Sequence, residues 1–191
     1  MTRWWWVRHG PTHQKTFTGW RDVPADLSDT ARIERLSAYL PDDAVLITSD
    51  LQRAVKTGDA IQSGRVRLPH VQALREFDFG DWDGLHFSEV AEKDADLSRA
   101  YWETPGNVTA PNGESWNDAA SRVRPVVDGM NNANHRDIVV VAHFGIILTQ
   151  LQRAWGKSAY DVLAQTIEPL SVTQLTHDAG KWDVGVVNHS P

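Results

Sequence analysis

Three short apolar segments of this 191-residue chain each lead to basic residues. The segments and the residues that follow them are Trp4–Val7 with Arg8 and His9, Ala44–Thr48 with Arg53, and Ile138–Ala142 with His143. In open α/β sheets, ligands bind where strands end at their carboxyl edge, so we expect these four side chains to share one site. A guanidinium pairs with two oxygens at once, and the sequence therefore predicts a pocket for a compact anion such as a phosphoryl group.

The residue types present restrict the chemistry at such a pocket. The chain has no cysteine, no G-x-S-x-G elbow and no P-loop, which leaves serine, threonine, histidine or a carboxylate as nucleophile. A neutral imidazole can attack phosphorus directly and form a covalent intermediate. The departing oxygen then needs an acid, for which a carboxyl group is suited. Spacing alone does not choose among the available carboxyl groups, which are Glu76, Asp78, Asp81, Asp83 and Glu114.

A metal site is the rival interpretation of the histidines. His9 and His13 have the four-residue spacing of two zinc ligands on a helix, but Gly10 and Pro11 between them disfavour a helix. The chain contains no HExxH pattern, and Arg8 beside His9 would repel a dication. We therefore expect neither a metal ion nor another cofactor.

Alternating apolar strands and amphipathic helices predict a layered α/β domain that positions these residues. The predicted helices are one that follows an N-cap at Ser28 and stops at Pro41, Leu51–Gln62 with a cap at Ser49-Asp50, Ser115–Asn131 kinked or divided at Pro125, and Ile146–Trp155. The remaining predicted strands are Val66–Leu68, Val71–Leu74, Val172–Thr176 and Lys181–Val187. The β-branched run of Ile138–Ala142 is typical of a strand buried on both faces. We expect 1–191 to form a single domain, in which a segment near 76–114, rich in Asp, Trp and Gly, is a cap-like insertion rather than part of the core.

Composition narrows the class of protein further. The formal net charge is −6, with 41% apolar and 23% charged residues, which is ordinary for a soluble globular protein. An acidic balance argues against a general binder of nucleic acid or of membrane surfaces. No apolar run approaches the roughly 18 residues of a membrane span, and the apolar run at the start is too short for a signal-peptide core. We therefore expect a cytoplasmic protein. The predicted anion pocket indicates that its partner is a small phosphorylated metabolite.

Several segments, taken in order, resemble the motifs of the histidine phosphatase superfamily, the phosphoglycerate mutase-like proteins. The segments are Val7–Thr12, Thr18–Pro24, Thr48–Thr57, Leu74–Gly84, Gly113–Ser115 and Val141–Gly145. This resemblance implies a three-layer α/β/α sandwich around a mixed, mostly parallel six-stranded sheet. It also implies a two-step reaction in which His9 is the nucleophile, while Glu76 first protonates the leaving group and then activates water.

The resemblance also implies the binding residues. Arg8, Arg53 and His143 match the positions that hold the phosphoryl oxygens, while Thr18 and Gly19 match positions that contact the rest of the substrate in some members. Ser115 matches a further motif, for which we favour a helix cap as the explanation.

Two departures from the family pattern bear on the activity. Phe144 stands where a glycine often follows the second histidine of the family, so it is expected to shape the pocket. The chain is also shorter than the usual cofactor-dependent mutases, which favours hydrolysis over mutase-type transfer. Small phosphatases of this branch include α-ribazole phosphatases. A phosphoglycerate mutase and a non-catalytic phosphate-binding protein remain the alternatives.

Overall fold

The computed structural model describes residues 1–191, and its centre is a six-stranded sheet in the order β3-β2-β4-β1-β5-β6. The strands are β1 (Thr2–Arg8), β2 (Val45–Thr48), β3 (Val66–Arg67), β4 (Asp137–Ala142), β5 (Val172–Asp178) and β6 (Lys181–Val184). Strands β3, β2, β4 and β1 are parallel, whereas β5 runs antiparallel to β1 and β6 runs antiparallel to β5. The predicted mixed, mostly parallel sheet is confirmed.

Helices cover both faces of this sheet. They are α1 (Thr30–Tyr39), α2 (Gln52–Ile61), α3 (Phe87–Lys93), α4 (Ala95–Glu103), α5 (Trp116–Asn131), α6 (Phe144–Trp155) and α7 (Ala159–Leu163). Buried residues of α1 and α2 join the apolar cluster on one face, and those of α3 to α7 join the cluster on the other. The three-layer arrangement is therefore as predicted. None of these helices combines the length and the apolar character that a membrane crossing requires.

Strand β4 lies inside the sheet and is buried along its whole length. Its side chains alternate, so that Ile138 and Val140 join one apolar cluster while Val139 and Val141 join the other. This explains the unbroken β-branched run, because both faces of the strand meet a helical layer.

Two predicted helix caps were wrong. The N-cap of α1 is Asp29, whose side chain accepts a hydrogen bond from the amide of Arg32, while Ser28 lies one residue earlier in a turn closed by Asp26. Asp50 does not cap α2, because both of its carboxylate oxygens accept hydrogen bonds from Arg75 at 2.7 Å. Such a bidentate charge-assisted pair is stronger than a single bond to a backbone amide.

Two further elements differ from the prediction. The segment Val71–Leu74 is not a strand. Only the amide of Val71 forms a strand-like hydrogen bond, to the carbonyl of Thr48. Gln72–Leu74 then forms a 3-10 turn that buries Leu74. Helix α5 is not divided at Pro125, which lies on the exposed side of the helix. Water can there hydrate the carbonyl that loses its amide partner, so the helix continues.

The segment near 76–114 contains a 3-10 turn at Gly80–Trp82 followed by α3 and α4. It contributes Trp82, Val90 and Tyr101 to the larger apolar cluster, so the expectation that it lies outside the core was wrong. It also borders the cavity described below, as the expected cover would.

Candidate active site

The predicted basic residues do come together at the carboxyl edge of β1, β4 and β2. Arg8 ends β1, and the amide of His9 continues the ladder to the carbonyl of Ala142 at 3.1 Å. The rings of His9 and His143 lie 5.0 Å apart between centroids. They adjoin a cavity of about 250 Å³, whose lining residues are Arg8, His9, Thr12, Gln14, Thr16, Phe17, Thr18, Arg53, Glu76, Phe79, Phe87, Trp102 and Phe144.

His9 is held as a neutral imidazole with one nitrogen open. Its Nδ1 lies 2.7 Å from the carbonyl oxygen of Gly10, which accepts only from a protonated nitrogen. In the neutral ring Nε2 therefore keeps its lone pair. Burial lowers the pKa of His9 well below its usual value, and the positive charges of Arg53 and Arg8 lower it further.

Thr57 fixes the turn that carries His9, and sequence analysis did not single it out as functional. Its hydroxyl accepts a hydrogen bond from the amide of Gly10 at 2.9 Å and donates one to the carbonyl of Arg53 at 2.7 Å. The two halves of the site, after β1 and in α2, are thereby tied together.

His143 is fully buried beside His9 and is not part of the cavity wall. Its Nδ1 accepts from Nε of Arg53 at 3.3 Å, so Nε2 carries the proton and donates it to the hydroxyl of Ser49 at 2.8 Å. Burial, and then the charge of Arg53, lower the pKa of His143 well below its usual value. In this arrangement His143 orients Arg53, and Ser49, which follows β2, orients His143.

Arg8 presents an unused donor beside the cavity. Its Nη1 donates to the carbonyl of Ile167 at 2.6 Å, whereas its buried Nε has no hydrogen-bond partner within the protein. The guanidinium lies 5.5 Å from the ring centroid of Phe144, which restricts it further.

Arg53 also lines the cavity, but its remaining nitrogens hold the loop after β1. Nη2 donates to the carbonyl of Gly19 at 2.6 Å, and Nη1 donates to that of Arg21 at 3.0 Å. The structure places Thr18 at the cavity wall and Gly19 behind Arg53, away from the wall. A Cβ on Gly19 would lie 2.3 Å from the carbonyl oxygen of Phe77, so the glycine is explained by packing of the loop rather than by substrate contact.

Glu76 is the one member of the five candidate carboxyl groups that lines the cavity. Both of its carboxylate oxygens accept from the amide of Gly145 at 3.1 Å, and Oε1 also accepts from the amide of Phe77 at 3.0 Å. Burial raises the pKa of Glu76, although these amides and Arg53 partly oppose the shift. The raised pKa favours the protonated form, which is the form that a general acid needs.

The other four carboxyl groups have structural partners instead. Their contacts are Asp78 with the amide of Gly80, Asp81 with the side chain of Asn112, Asp83 with the amides of Gly19 and Arg21, and Glu114 with the guanidinium of Arg122. Each group thus stabilises the segment around Glu76 rather than facing the cavity.

Arg122 of α5 fixes the backbone of Glu76 and was missed by sequence analysis. Its two terminal nitrogens donate to the carbonyls of Ala73 and Glu76, at 2.7 and 2.8 Å, and Nε of Trp20 donates to the same Glu76 carbonyl at 2.8 Å. The carbonyl partners lie 49 and 46 residues before Arg122. Nothing in local spacing could therefore have identified it.

The geometry around His13 bears on the rival metal interpretation. His13 pairs with Asp26 at 2.8 Å, and it is not among the residues that line the cavity with His9. No group of three or more His, Asp or Glu side chains converges in a way that could hold a metal ion.

Comparison with known proteins identifies the family. Residues 4–190 match the model of the histidine phosphatase superfamily (branch 1). The chain belongs to this superfamily, as its motifs predicted.

Two relatives show the range of activities among similar proteins. A bifunctional protein from Mycobacterium tuberculosis is 31% identical over 206 residues, which cover 96% of this chain and 53% of that protein, so the chain spans about half of its length. A 2,3-bisphosphoglycerate-dependent phosphoglycerate mutase from Bartonella quintana is 35% identical over 177 residues, covering 84% of this chain and 85% of the mutase. That mutase is thus close to this chain in length. Length, which favoured a phosphatase in the sequence analysis, does not separate the two activities.

Solved structures give the same fold. A mycobacterial glucosyl-3-phosphoglycerate phosphatase has a TM-score of 0.86 and 26% identity, covering 100% of both chains. The α-ribazole phosphatase from Shigella flexneri has a TM-score of 0.85 over 99% of this chain and 97% of that chain, and at 22% identity it supports the fold alone.

Proposed function

We propose that this chain is a cytoplasmic phosphatase that hydrolyses a small phosphomonoester through a phosphohistidine on His9, without a metal ion. The observation that carries the proposal is the placement of two groups at one cavity. Nε2 of His9 has a free lone pair because Nδ1 donates to Gly10, and the carboxyl group of Glu76 lies at the same wall with a raised pKa. A nucleophile and an acid are what the transfer of a phosphoryl group from an alcohol requires.

In the first step, Nε2 of His9 attacks the phosphorus atom and the bond from phosphorus to the ester oxygen breaks. The proton of Glu76 moves to that oxygen, so an alcohol leaves rather than an alkoxide. The carbonyl of Gly10 accepts from Nδ1–H throughout and stabilises the positive charge that develops on the imidazole.

In the second step, a water molecule replaces the alcohol. The carboxylate of Glu76 takes a proton from this water as its oxygen attacks phosphorus. The bond between phosphorus and Nε2 breaks, inorganic phosphate forms, and Glu76 is again protonated.

Arg8 and Arg53 supply the positive charge that the transferred group needs. The guanidinium groups of Arg8 and Arg53 both line this wall. Donors that are fixed before the reaction stabilise the transition state at little reorganisation cost. In this proposal His143 acts with Arg53, because its Nδ1 accepts from that guanidinium.

Mutase-type transfer is the second candidate, since the Bartonella mutase is 35% identical to this chain. A mutase would return the phosphoryl group of His9 to a second hydroxyl instead of to water. Incubation with 3-phosphoglycerate and a bisphosphate primer separates the two, because a mutase forms 2-phosphoglycerate whereas a phosphatase releases phosphate. A protein that only binds phosphate would have no use for the open nitrogen of His9 beside Glu76.

The direct test is phosphoenzyme trapping with a radiolabelled alkyl phosphate. We expect an acid-labile, alkali-stable label on the wild type, steady phosphate release, and neither in His9→Ala. His13→Ala is the matched control, because His13 is exposed and bonded to Asp26 instead of lining the cavity. Excess chelator should leave the rate unchanged. A rate that is lost in chelator and restored by a divalent ion would exclude the metal-free mechanism.

A further inference from the structure

The catalytic cavity continues into a second, apolar groove. Phe87, Trp102 and Phe144 line both spaces, and the groove encloses about 660 Å³. Its other lining residues are Tyr160, Asp161, Leu163 and Ala164. A ligand whose phosphoryl group lies beside His9 and Arg8 therefore has room to extend along aromatic side chains.

Two aromatic side chains at this groove are unusually exposed. Phe87 is 57% exposed and Tyr160 is 58% exposed, whereas other aromatic residues of the same region, such as Phe17 and Trp82, are buried. Large apolar side chains that stay in water next to a pocket are typical of binding surfaces.

Positive charge is confined to the catalytic end of the combined space. Arg8 and Arg53 are the only arginine or lysine residues along the two walls, and both lie at the phosphoryl end. The groove itself carries one charged residue, Asp161. A second anionic group on the substrate would find no cation there and would approach a carboxylate.

Phe144 joins the two spaces. It begins α6 immediately after His143, and its ring lies 5.5 Å from the guanidinium carbon of Arg8. This residue is also where the sequence departs from the glycine that often follows the second histidine in the family. The departure replaces open space beside the phosphoryl site with an aromatic wall.

We infer that the leaving alcohol of the substrate is uncharged and aromatic or otherwise apolar, and that the groove formed by Phe87, Trp102, Phe144 and Tyr160 binds it. The inference rests on the proposed phosphatase activity and specifies its substrate class. It follows that 3-phosphoglycerate, which carries a carboxylate, is a poor substrate.

Steady-state rates with three alkyl phosphates test this inference. Benzyl phosphate carries an apolar alcohol, glycerol 1-phosphate a polar uncharged one, and 3-phosphoglycerate an anionic one. We expect kcat/KM to be highest for benzyl phosphate, and lower by about tenfold or more for the other two. Equal values for benzyl phosphate and glycerol 1-phosphate would overturn the inference while leaving the phosphatase proposal standing.

Tyr160→Ala is the suitable variant, because this side chain is largely exposed and lines the groove but not the catalytic cavity. It should lower kcat/KM for benzyl phosphate by about tenfold and change that for glycerol 1-phosphate by less than about twofold. Tyr39→Ala is the matched control, since Tyr39 is an exposed aromatic residue of α1 and does not line either space. Equal loss on both substrates in Tyr160→Ala would contradict the inference.

Binding of phosphonates tests the groove even if the protein has no turnover. By calorimetry, benzylphosphonate should bind about tenfold more tightly than methylphosphonate to the wild type, and the preference should disappear in Phe87→Ala. Equal affinities would overturn the inference. A dimer in sedimentation that dissociates in Phe87→Ala would instead assign the groove to a second copy of the chain.

Discussion

The amide of Gly145 lies 3.1 Å from both carboxylate oxygens of Glu76, so the first turn of α6 holds this carboxyl group at the cavity wall. A helix N-terminus attracts negative charge, which orients the group in its ionised form. Burial acts in the opposite direction and favours the protonated form. These two opposing effects on the pKa of Glu76 suit a group that must donate a proton and then accept one.

Gly145→Ala should displace Glu76 without unfolding the protein. A methyl group at this position would lie 2.6 Å from Oε1 of Glu76, which is the movable end of a side chain. We expect kcat on an alkyl phosphate to fall by about 10²-fold, as for a misplaced catalytic group. Gly129→Ala in α5 is the control, because a Cβ there meets nothing within 4 Å. Unchanged kcat in Gly145→Ala would show that the contact does not position the acid.

Glu76→Gln should separate acid catalysis from pocket charge. An alkyl phosphate needs a protonated leaving oxygen, whereas p-nitrophenyl phosphate releases a stable phenolate. The variant should therefore slow phosphoenzyme formation by roughly 10²–10⁴-fold with the alkyl ester, and far less with the nitrophenyl ester. Rapid-quench measurements with both substrates decide this. If both slow by the same factor, Glu76 is not the acid.

Arg8→Lys should weaken anion binding. Lysine keeps the charge but loses the forked donor set, including the Nε atom that has no partner within the protein. A charge-assisted hydrogen bond contributes about 1.5–3 kcal/mol, so the inhibition constant of vanadate should rise by about tenfold or more. Arg3→Lys is the matched control, because Arg3 lies on the same strand as Arg8 but pairs with Asp137. Equal vanadate inhibition in Arg8→Lys and the wild type would remove Arg8 from the site.

Neutral His9 should make stability depend on pH. Because its pKa is lowered in the folded protein, the unfolded chain gains a proton first as the pH falls through about 6.5, and the free energy of unfolding decreases. Glu76 has the opposite effect on the free energy of unfolding, because its raised pKa stabilises the folded protein as the pH falls. Comparing His9→Asn with the wild type isolates the histidine. Between pH 6.5 and 5.5, the free energy of unfolding of His9→Asn should fall by up to about 1.4 kcal/mol less than that of the wild type.

Urea unfolding at several pH values measures this difference. If His9→Asn follows the wild-type curve, then His9 is not held neutral in the folded protein.

Local chemistry made much of the fold predictable from sequence. The β-branched run of Ile138–Ala142 can bury both of its faces only inside a layered sheet. Because ligands bind at the carboxyl edge of such a sheet, the strand ends at Arg8 and His143 were predictable as site positions. Caps were less predictable, since Ser28 and Asp29 are both good N-cap residues. Asp50 does not cap α2 because its carboxylate binds Arg75, which lies 25 residues further along the chain.

By itself, the sequence determined the residue types, the order of strands and helices, and the family, because these depend on periodicity and on motifs that are contiguous in the chain. Residue types and spacing left five carboxyl groups equivalent, and only the family resemblance singled out Glu76. The tertiary structure brings Glu76 to the cavity and gives the others structural partners. The free lone pair of His9, the support from Ser49, Thr57 and Arg122, and the aromatic groove were likewise decided in three dimensions. The physical reason is that hydrogen-bond direction, burial and the sharing of a wall depend on residues far apart in the chain, and no local pattern encodes them.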